Sequence, residues 1–220
     1  MKRAVVAEAV GTALLLAVVV GSGIMGERLA AGNAAVALLA NSLATGAGLY
    51  ALIEMFAPIS GAHFNPVVSA VSAWKGILPA RECAAFIAAQ VVGAIGGVVA
   101  AHAMFGLPLL QVSHHVRPTA GEALGEFVAT FGLLLVILLL SHFRRGAIPA
   151  AVAAFITSAY WFTSSTSFAN PAVTLARAMT DTFAGISPES VPLFIGGQVL
   201  GGGVAALFVR WLLNEPRRIA

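Results

Sequence analysis

Two short motifs, Asn65-Pro66-Val67 and Asn170-Pro171-Ala172, are the residues of this chain best placed to do chemistry. Asparagine is a preferred helix N-cap, and proline suits a first helical turn, where its missing N–H is not needed. Each motif therefore predicts a helix N-terminus, which carries roughly half a positive charge from its aligned peptide dipoles. Beside it stands a side-chain amide with two donors and a carbonyl acceptor. Such an amide can donate hydrogen bonds to the oxygen of a passing neutral solute. Taken singly, either motif reads equally well as an ordinary helix cap.

The other polar candidates are few. Glu8 and Glu126 lie inside apolar runs, where a carboxylate is costly and is either functional or paired. A proton relay and a structural hydrogen-bond acceptor are both open readings. His63, two residues before Asn65, is either a pore-facing sensor near neutral pH or a hydrogen-bonded spacer. His114 and His115 adjoin Arg117, but adjacent histidines mostly point apart, which disfavours a metal site. Cys83 is the only cysteine, so no intrachain disulfide forms, and on an apolar helix it reads as packing.

The elements that position these residues follow from composition. The chain has 220 residues, 59% hydrophobic and 10% charged, with a mean hydropathy of +0.93. Soluble domains are about a quarter charged. Six apolar segments, roughly 4–25, 35–57, 80–104, 119–141, 147–165 and 191–213, suit a bilayer core about 30 Å thick. The first follows Met1-Lys2-Arg3 but has no convincing cleavage site and reads as a span rather than a signal peptide. Segments 65–74 and 170–179 are too short to cross and read as half-length helices. The basic residues are dispersed and form no nucleic-acid stripe.

The chain repeats itself. Glu8-Ala-Val-Gly-Thr12 matches Glu126-Phe-Val-Ala-Thr130, and Asn65-Pro66 matches Asn170-Pro171. Ile87-Ala-Ala-Gln90-Val-Val-Gly93 matches Ile195-Gly-Gly-Gln198-Val-Leu-Gly201. The halves, about 1–106 and 119–216, make one membrane domain over 1–220. Each half holds three spans, an odd number, so the two enter the membrane with opposite orientation as inverted repeats. With both termini cytoplasmic, Lys2, Arg3, Lys75, Arg81, Arg144, Arg145, Arg210, Arg217 and Arg218 lie inside, against Arg28, Arg117 and Arg177 outside. That is the sense of the positive-inside rule.

Inversion brings the two half-helices in from opposite faces, with both N-termini at the midplane. Two positive helix ends in a low-dielectric slab repel cations and protons. The polar stretches before them, Ser60-Gly61-Ala62-His63-Phe64 and Ser164-Ser165-Thr166-Ser167-Phe168-Ala169, are tolerable at membrane depth only if buried or lining a wet cavity. The expected result is a pore for small neutral hydroxylated solutes.

His63-Phe64-Asn65-Pro66, preceded by Ile59-Ser60-Gly61-Ala62, together with Asn170-Pro171-Ala172, resembles the aquaporin, or major intrinsic protein, family. Glu8, Glu126, Gln90 and Gln198 fit the same resemblance, which covers nearly the whole chain. It implies an all-α membrane protein of six transmembrane helices plus two re-entrant half-helices. It further implies a homotetramer in membrane lipid, one pore per subunit, passive flow, no enzyme activity, and neither cofactor nor metal. For Glu8 and Glu126 it implies hydrogen bonding to the pore loops from behind, with His63 among the residues of that support.

The family also narrows its pore at four positions near the outer mouth, one of them an arginine directly after the second Asn-Pro-Ala. Here that position is Val173, and the other three map to Thr45, Ser158 and Ser167. Water-selective members of the family that it resembles place an aromatic ring and a histidine where Thr45 and Ser158 stand. Val67 also replaces the usual alanine. Small residues and no guanidinium give a wider, less polar ring. Arg177, four residues on and one helical turn deeper, either partly substitutes for that arginine or faces a neighbouring helix end, and the second is the expectation. The pattern resembles bacterial members that pass metalloids, which implies arsenite and methylated species in a cytoplasmic (inner) membrane. The alternatives are a general glycerol and polyol facilitator and, from another class, an inverted-repeat secondary transporter.

Overall fold

The computed structural model describes residues 1–117 and 119–214. Arg217 and Arg218, and the last residues of the second repeat half, lie outside them. Among the described residues the first half forms α1 (Lys2–Leu29), α2 (Ala34–Ser60), the short α3 (Pro66–Trp74) and α4 (Ala80–Met104). The second half follows the same order with α5 (Ala120–Phe143), α6 (Ile148–Phe162), the short α7 (Pro171–Arg177) and α8 (Val191–Leu212).

Local chemistry sets these boundaries. Asn33 Oδ1 caps α2 by accepting from the backbone N–H groups of Ala35 (3.0 Å) and Val36 (3.3 Å). Gly61, at φ 87°, ends that helix in the left-handed conformation. Thr119 and Glu122 form a capping box that opens α5.

Five helices, α1, α2, α4, α5 and the one ending in α8, are long and apolar enough to cross a membrane. The sixth expected span is shorter than the segment 147–165 suggested. A 3₁₀ turn at Arg145–Ala147 precedes α6, whose 15 residues reach only about 22 Å. The chain leaves the helix at Thr163 to begin the second polar loop, so Thr163, Ser164 and Ser165 belong to that loop.

The two halves pack by the same device. In the first, α4 crosses α1 where a Cβ at Gly93 or Gly97 would fall on the backbone carbonyls of Ala9 and Ala13. In the second, α8 crosses α5 where Gly197 and Gly201 meet the carbonyls of Ala123 and Phe127. Both pairs are four residues apart, the small-xxx-small spacing that lets membrane helices approach closely where lipid offers no hydrophobic drive. The halves join through α2 against α6, and each short helix also packs on the other half's long one, α3 on α8 and α7 on α4.

This packing separates two kinds of glycine. Gly97→Ala should force α1 and α4 apart and destabilise the fold by about 1–3 kcal/mol. Gly96→Ala, where an added Cβ meets nothing within 4 Å, should be neutral or stabilise by about 0.5–1 kcal/mol. Thermal unfolding in detergent compares the two; equal destabilisation would contradict the crossing.

Candidate conduction pathway

The two polar loops are built on strained backbone. Ala62 (φ 50°), Phe64 (φ 48°), Ser167 (φ 51°) and Ala169 (φ 49°) are left-handed without being glycine, at about 1–2 kcal/mol each. What holds them is a buried carboxylate behind each loop. Glu8 Oε1 accepts from Ser60 Oγ (2.6 Å) and His63 N (2.9 Å), and Oε2 from Phe64 N (2.7 Å) and Gln90 Nε2 (2.8 Å). Glu126 Oε1 accepts from Phe168 N (2.8 Å), and Oε2 from Ala169 N (2.8 Å) and Gln198 Nε2 (2.5 Å). Both carboxylates are fully buried. The glutamines reach on to the half-helices, Gln90 to Ser69 Oγ (2.9 Å) and Gln198 to Thr174 Oγ1 (2.8 Å).

The half-helices meet through their caps. Asn65 Oδ1 accepts from Val67 N (2.9 Å), and Asn170 Oδ1 from Ala172 N (3.0 Å) and Val173 N (3.3 Å). Pro66 and Pro171 follow at the first helical position. Each amide also donates across the junction, Asn65 Nδ2 to Ala169 O and Asn170 Nδ2 to Phe64 O, both at 2.7 Å. An amide nitrogen carries two hydrogens, so the cross-bond leaves one per asparagine for a molecule in the lumen.

A cavity of about 240 Å³ runs past this junction. Its lining includes Asn65, Asn170 and the loop residues Gly61, Ala62, His63, Ser167 and Ala169. Toward the C-terminal end of α3 it is walled by Ser72, Ile77, Ser141 and Ile148, and along its length by Leu15, Leu133 and Ile156. His63 lines it while its Nδ1 lies 3.0 Å from Ser69 Oγ. The histidine is therefore at once a wall and a hydrogen-bonded spacer.

At the α7 end, Thr45, Ser167 and Val173 line the cavity, but Ser158 does not. Ser158 is exposed on the far face of α6, its hydroxyl donating to Phe155 O (2.7 Å). Val152, Ile156 and Tyr160, four residues apart, form the cavity face of that helix, and position 158 lies about 200° around from them. Tyr160 lines the cavity there and Ser158 does not, with the Tyr160 hydroxyl 3.2 Å from Thr45 Oγ1. The ring is thus less stripped of aromatic character than the spacing suggested.

Arg177 departs from expectation too. It lies one turn farther from the asparagine junction than Val173, not deeper, and it lines the cavity. Its Nε donates to Ala184 O, and its guanidinium carbon lies 3.4 Å from the Phe168 ring centroid. Arg117 approaches the same ring at 5.4 Å and donates to Ser165 O (3.2 Å). Sequence spacing pointed to none of Tyr160, Phe168 or Arg117 as ring neighbours; for Tyr160 a helical period set on Ile156 would have done so.

His114 and His115 do not point apart. Both face Asp181, at 3.1 and 3.9 Å. The His114 N–H and ring hold the Asp181 carboxyl below its usual range. Among the described residues no group of histidine, cysteine or carboxylate side chains has the makings of a metal site. The contact pins residues 113–115 over the segment after α7, with Ser113 N donating to Ala178 O (3.1 Å) and Ser187 N to His115 O (2.7 Å).

Residues 1–164 match the family described as Major intrinsic protein. The chain belongs to that family. It is 52% identical to aquaglyceroporin AqpS of Rhizobium meliloti (strain 1021), over 100% of this chain and 94% of the relative. It is 29% identical to Aquaporin Z of Bradyrhizobium diazoefficiens, over 96% and 93% of the two chains. Among solved structures it superposes on the aquaglyceroporin from Plasmodium falciparum with a TM-score of 0.76, over 96% of each chain, at 19% identity. That likeness establishes the fold. A major intrinsic protein with this architecture is a multi-pass membrane channel for small uncharged solutes and not an enzyme.

The four donors around Glu8 generate a test. Glutamine keeps one acceptor oxygen but turns an NH₂ toward Phe64 N–H and the Gln90 amide. Glu8→Gln should therefore lower stability by about 1–3 kcal/mol while leaving measurable flux, and Glu8→Leu, which strands every donor, should abolish folding or flux. Thermal unfolding and stopped-flow swelling of proteoliposomes read the two. A folded Gln variant with no passive flux would instead favour a proton relay.

Proposed function

We propose that this major intrinsic protein conducts uncharged metalloids, chiefly arsenite and methylated arsenicals, together with glycerol and water. The observation that carries the reading is Val173 at the cavity wall in the position where the family normally places arginine. Neutral arsenous acid is a small polyol-like molecule. A methylated arsenical adds an apolar surface, for which Val173 and the Ile156 side of the wall offer apolar contact. Thr45 and Tyr160 hydroxyls, and Ser167 Oγ, which is buried without a partner, supply hydrogen bonds to the oxygens. The likeness to an aquaglyceroporin supports a pore passing solutes larger than water.

The same proposal includes a homotetramer, one pore per subunit, in a bacterial inner membrane with both termini cytoplasmic. Support for that orientation is the charge bias at the span ends. The α7 end of the cavity is then the outer mouth. A general polyol facilitator is the nearest alternative. Proton-coupled transport is disfavoured because donors already occupy the Glu8 and Glu126 oxygens.

Two experiments test it. In a proteoliposome panel of water, glycerol, arsenite and a methylated arsenical, both arsenicals should equilibrate faster than in empty vesicles. Val173→Arg should then reduce flux least for water, moderately for glycerol and most for the methylated species, with a stronger effect when Thr45→Phe is added. Equal slowing of all solutes would refute size selection at this ring, and no slowing would remove Val173 from the pathway.

A further inference from the structure

We infer that this channel separates its size filter from its charge filter: Val173 borders the wide ring, and Arg177, backed by Arg117, supplies the cation barrier one helical turn farther out. The inference rests on the cavity being the conduction path, but not on which solute uses it.

Four residues of helix set Arg177 about 6 Å along the axis from Val173. Both side chains are buried yet line the cavity. The Arg177 guanidinium does not reach across the lumen. Its Nε is tied to Ala184 O, and the Phe168 ring holds its face at 3.4 Å. A cation over an aromatic ring is attracted to the ring's electron-rich face, so the charge stays against the wall. Arg117 shares the same ring and is anchored to Ser165 O. Neither guanidinium forms an ion pair with a carboxylate among the described residues. Two positive charges, with Glu126 and, for Arg117, Glu122 acting on them only at a distance, therefore bear on one end of a low-dielectric passage, where their field is strong. They repel cations as a constricting arginine would, while the lumen beside Val173 keeps its width. The charge of the missing arginine is retained, and its bulk is not.

The test measures sodium or proton leak relative to water flux in proteoliposomes. Arg177→Gln should raise that ratio by roughly tenfold or more. Arg177→Lys, which keeps the charge but loses the planar fork, should stay near the wild-type ratio. Val173→Arg in the Arg177→Gln background should bring the ratio back down, because it returns a charge to the passage. Arg117→Gln leaves the Ala184 contact in place and should raise the ratio severalfold. It stands as the deciding variant if Arg177→Gln does not reconstitute. An unchanged ratio in a folded Arg177→Gln protein, or an equal rise in Arg177→Lys, would overturn the inference. So would an unmoved ratio in Arg117→Gln where that variant decides. Failure to pass arsenicals, with the leak pattern intact, would sink only the metalloid reading.

Discussion

A backbone without secondary structure at the depth of a bilayer must find hydrogen-bond partners inside the protein. Everything distinctive here follows from that requirement. The chain breaks helix at Ser60 and Phe162 and resumes it at Pro66 and Pro171, leaving two stretches whose N–H groups have no helical acceptor. Glu8 and Glu126 supply the acceptors. A carboxylate offers about four lone-pair directions, and Glu8 fills all four with Ser60, His63, Phe64 and Gln90. The burial penalty of the charge is offset by these bonds. Because the N–H groups turn back toward the carboxylates, the loops can wall a lumen with their other side.

The second constraint is that the two half-helices must stop at one point. The reciprocal bonds from Asn65 to Ala169 O and from Asn170 to Phe64 O lock each cap to the other loop. Each half thus adds one bond to the loop that the other half's own carboxylate holds. The long helices come close enough to carry the acids and glutamines because Gly93, Gly97, Gly197 and Gly201 remove side chains at both crossings. The repeat in sequence is thus a repeat in function. Acid, asparagine, glutamine and glycine recur together because each depends on the geometry set by the others.

Much of this was legible in the residues. The Asn-Pro pairs marked the half-helices to within a residue at their starts, and matching acids and glutamines marked the repeat. What failed was the angular position of side chains on helices packed against one another. Ser158 was placed by counting from the second signature, but α6 is cut short and presents Val152, Ile156 and Tyr160 to the cavity. Two residues of error on a helix reverse the face. Arg177 was misjudged for a different reason. Its direction is set by Phe168 and Ala184, partners that meet it only once the loops before and after α7 have folded around it.

Tyr160 and Arg177 bear on different parts of selectivity. Tyr160 returns an aromatic group and a hydroxyl to a ring that had looked uniformly small, and its contact with Thr45 fixes where that hydroxyl sits. Arg177 returns a positive charge to a mouth that had looked neutral. Neither fills the space opened at Val173. A solute leaving that mouth for the asparagine junction passes a charged wall first, then a ring with one apolar side and one hydroxyl-bearing side, and only then the amide donors at the centre. On the proposed reading, that sequence disfavours cations before it discriminates by shape. It is also the order of contacts that the proposed function asks for: a neutral molecule with oxygen on one face and carbon on the other would meet a partner for each face in turn.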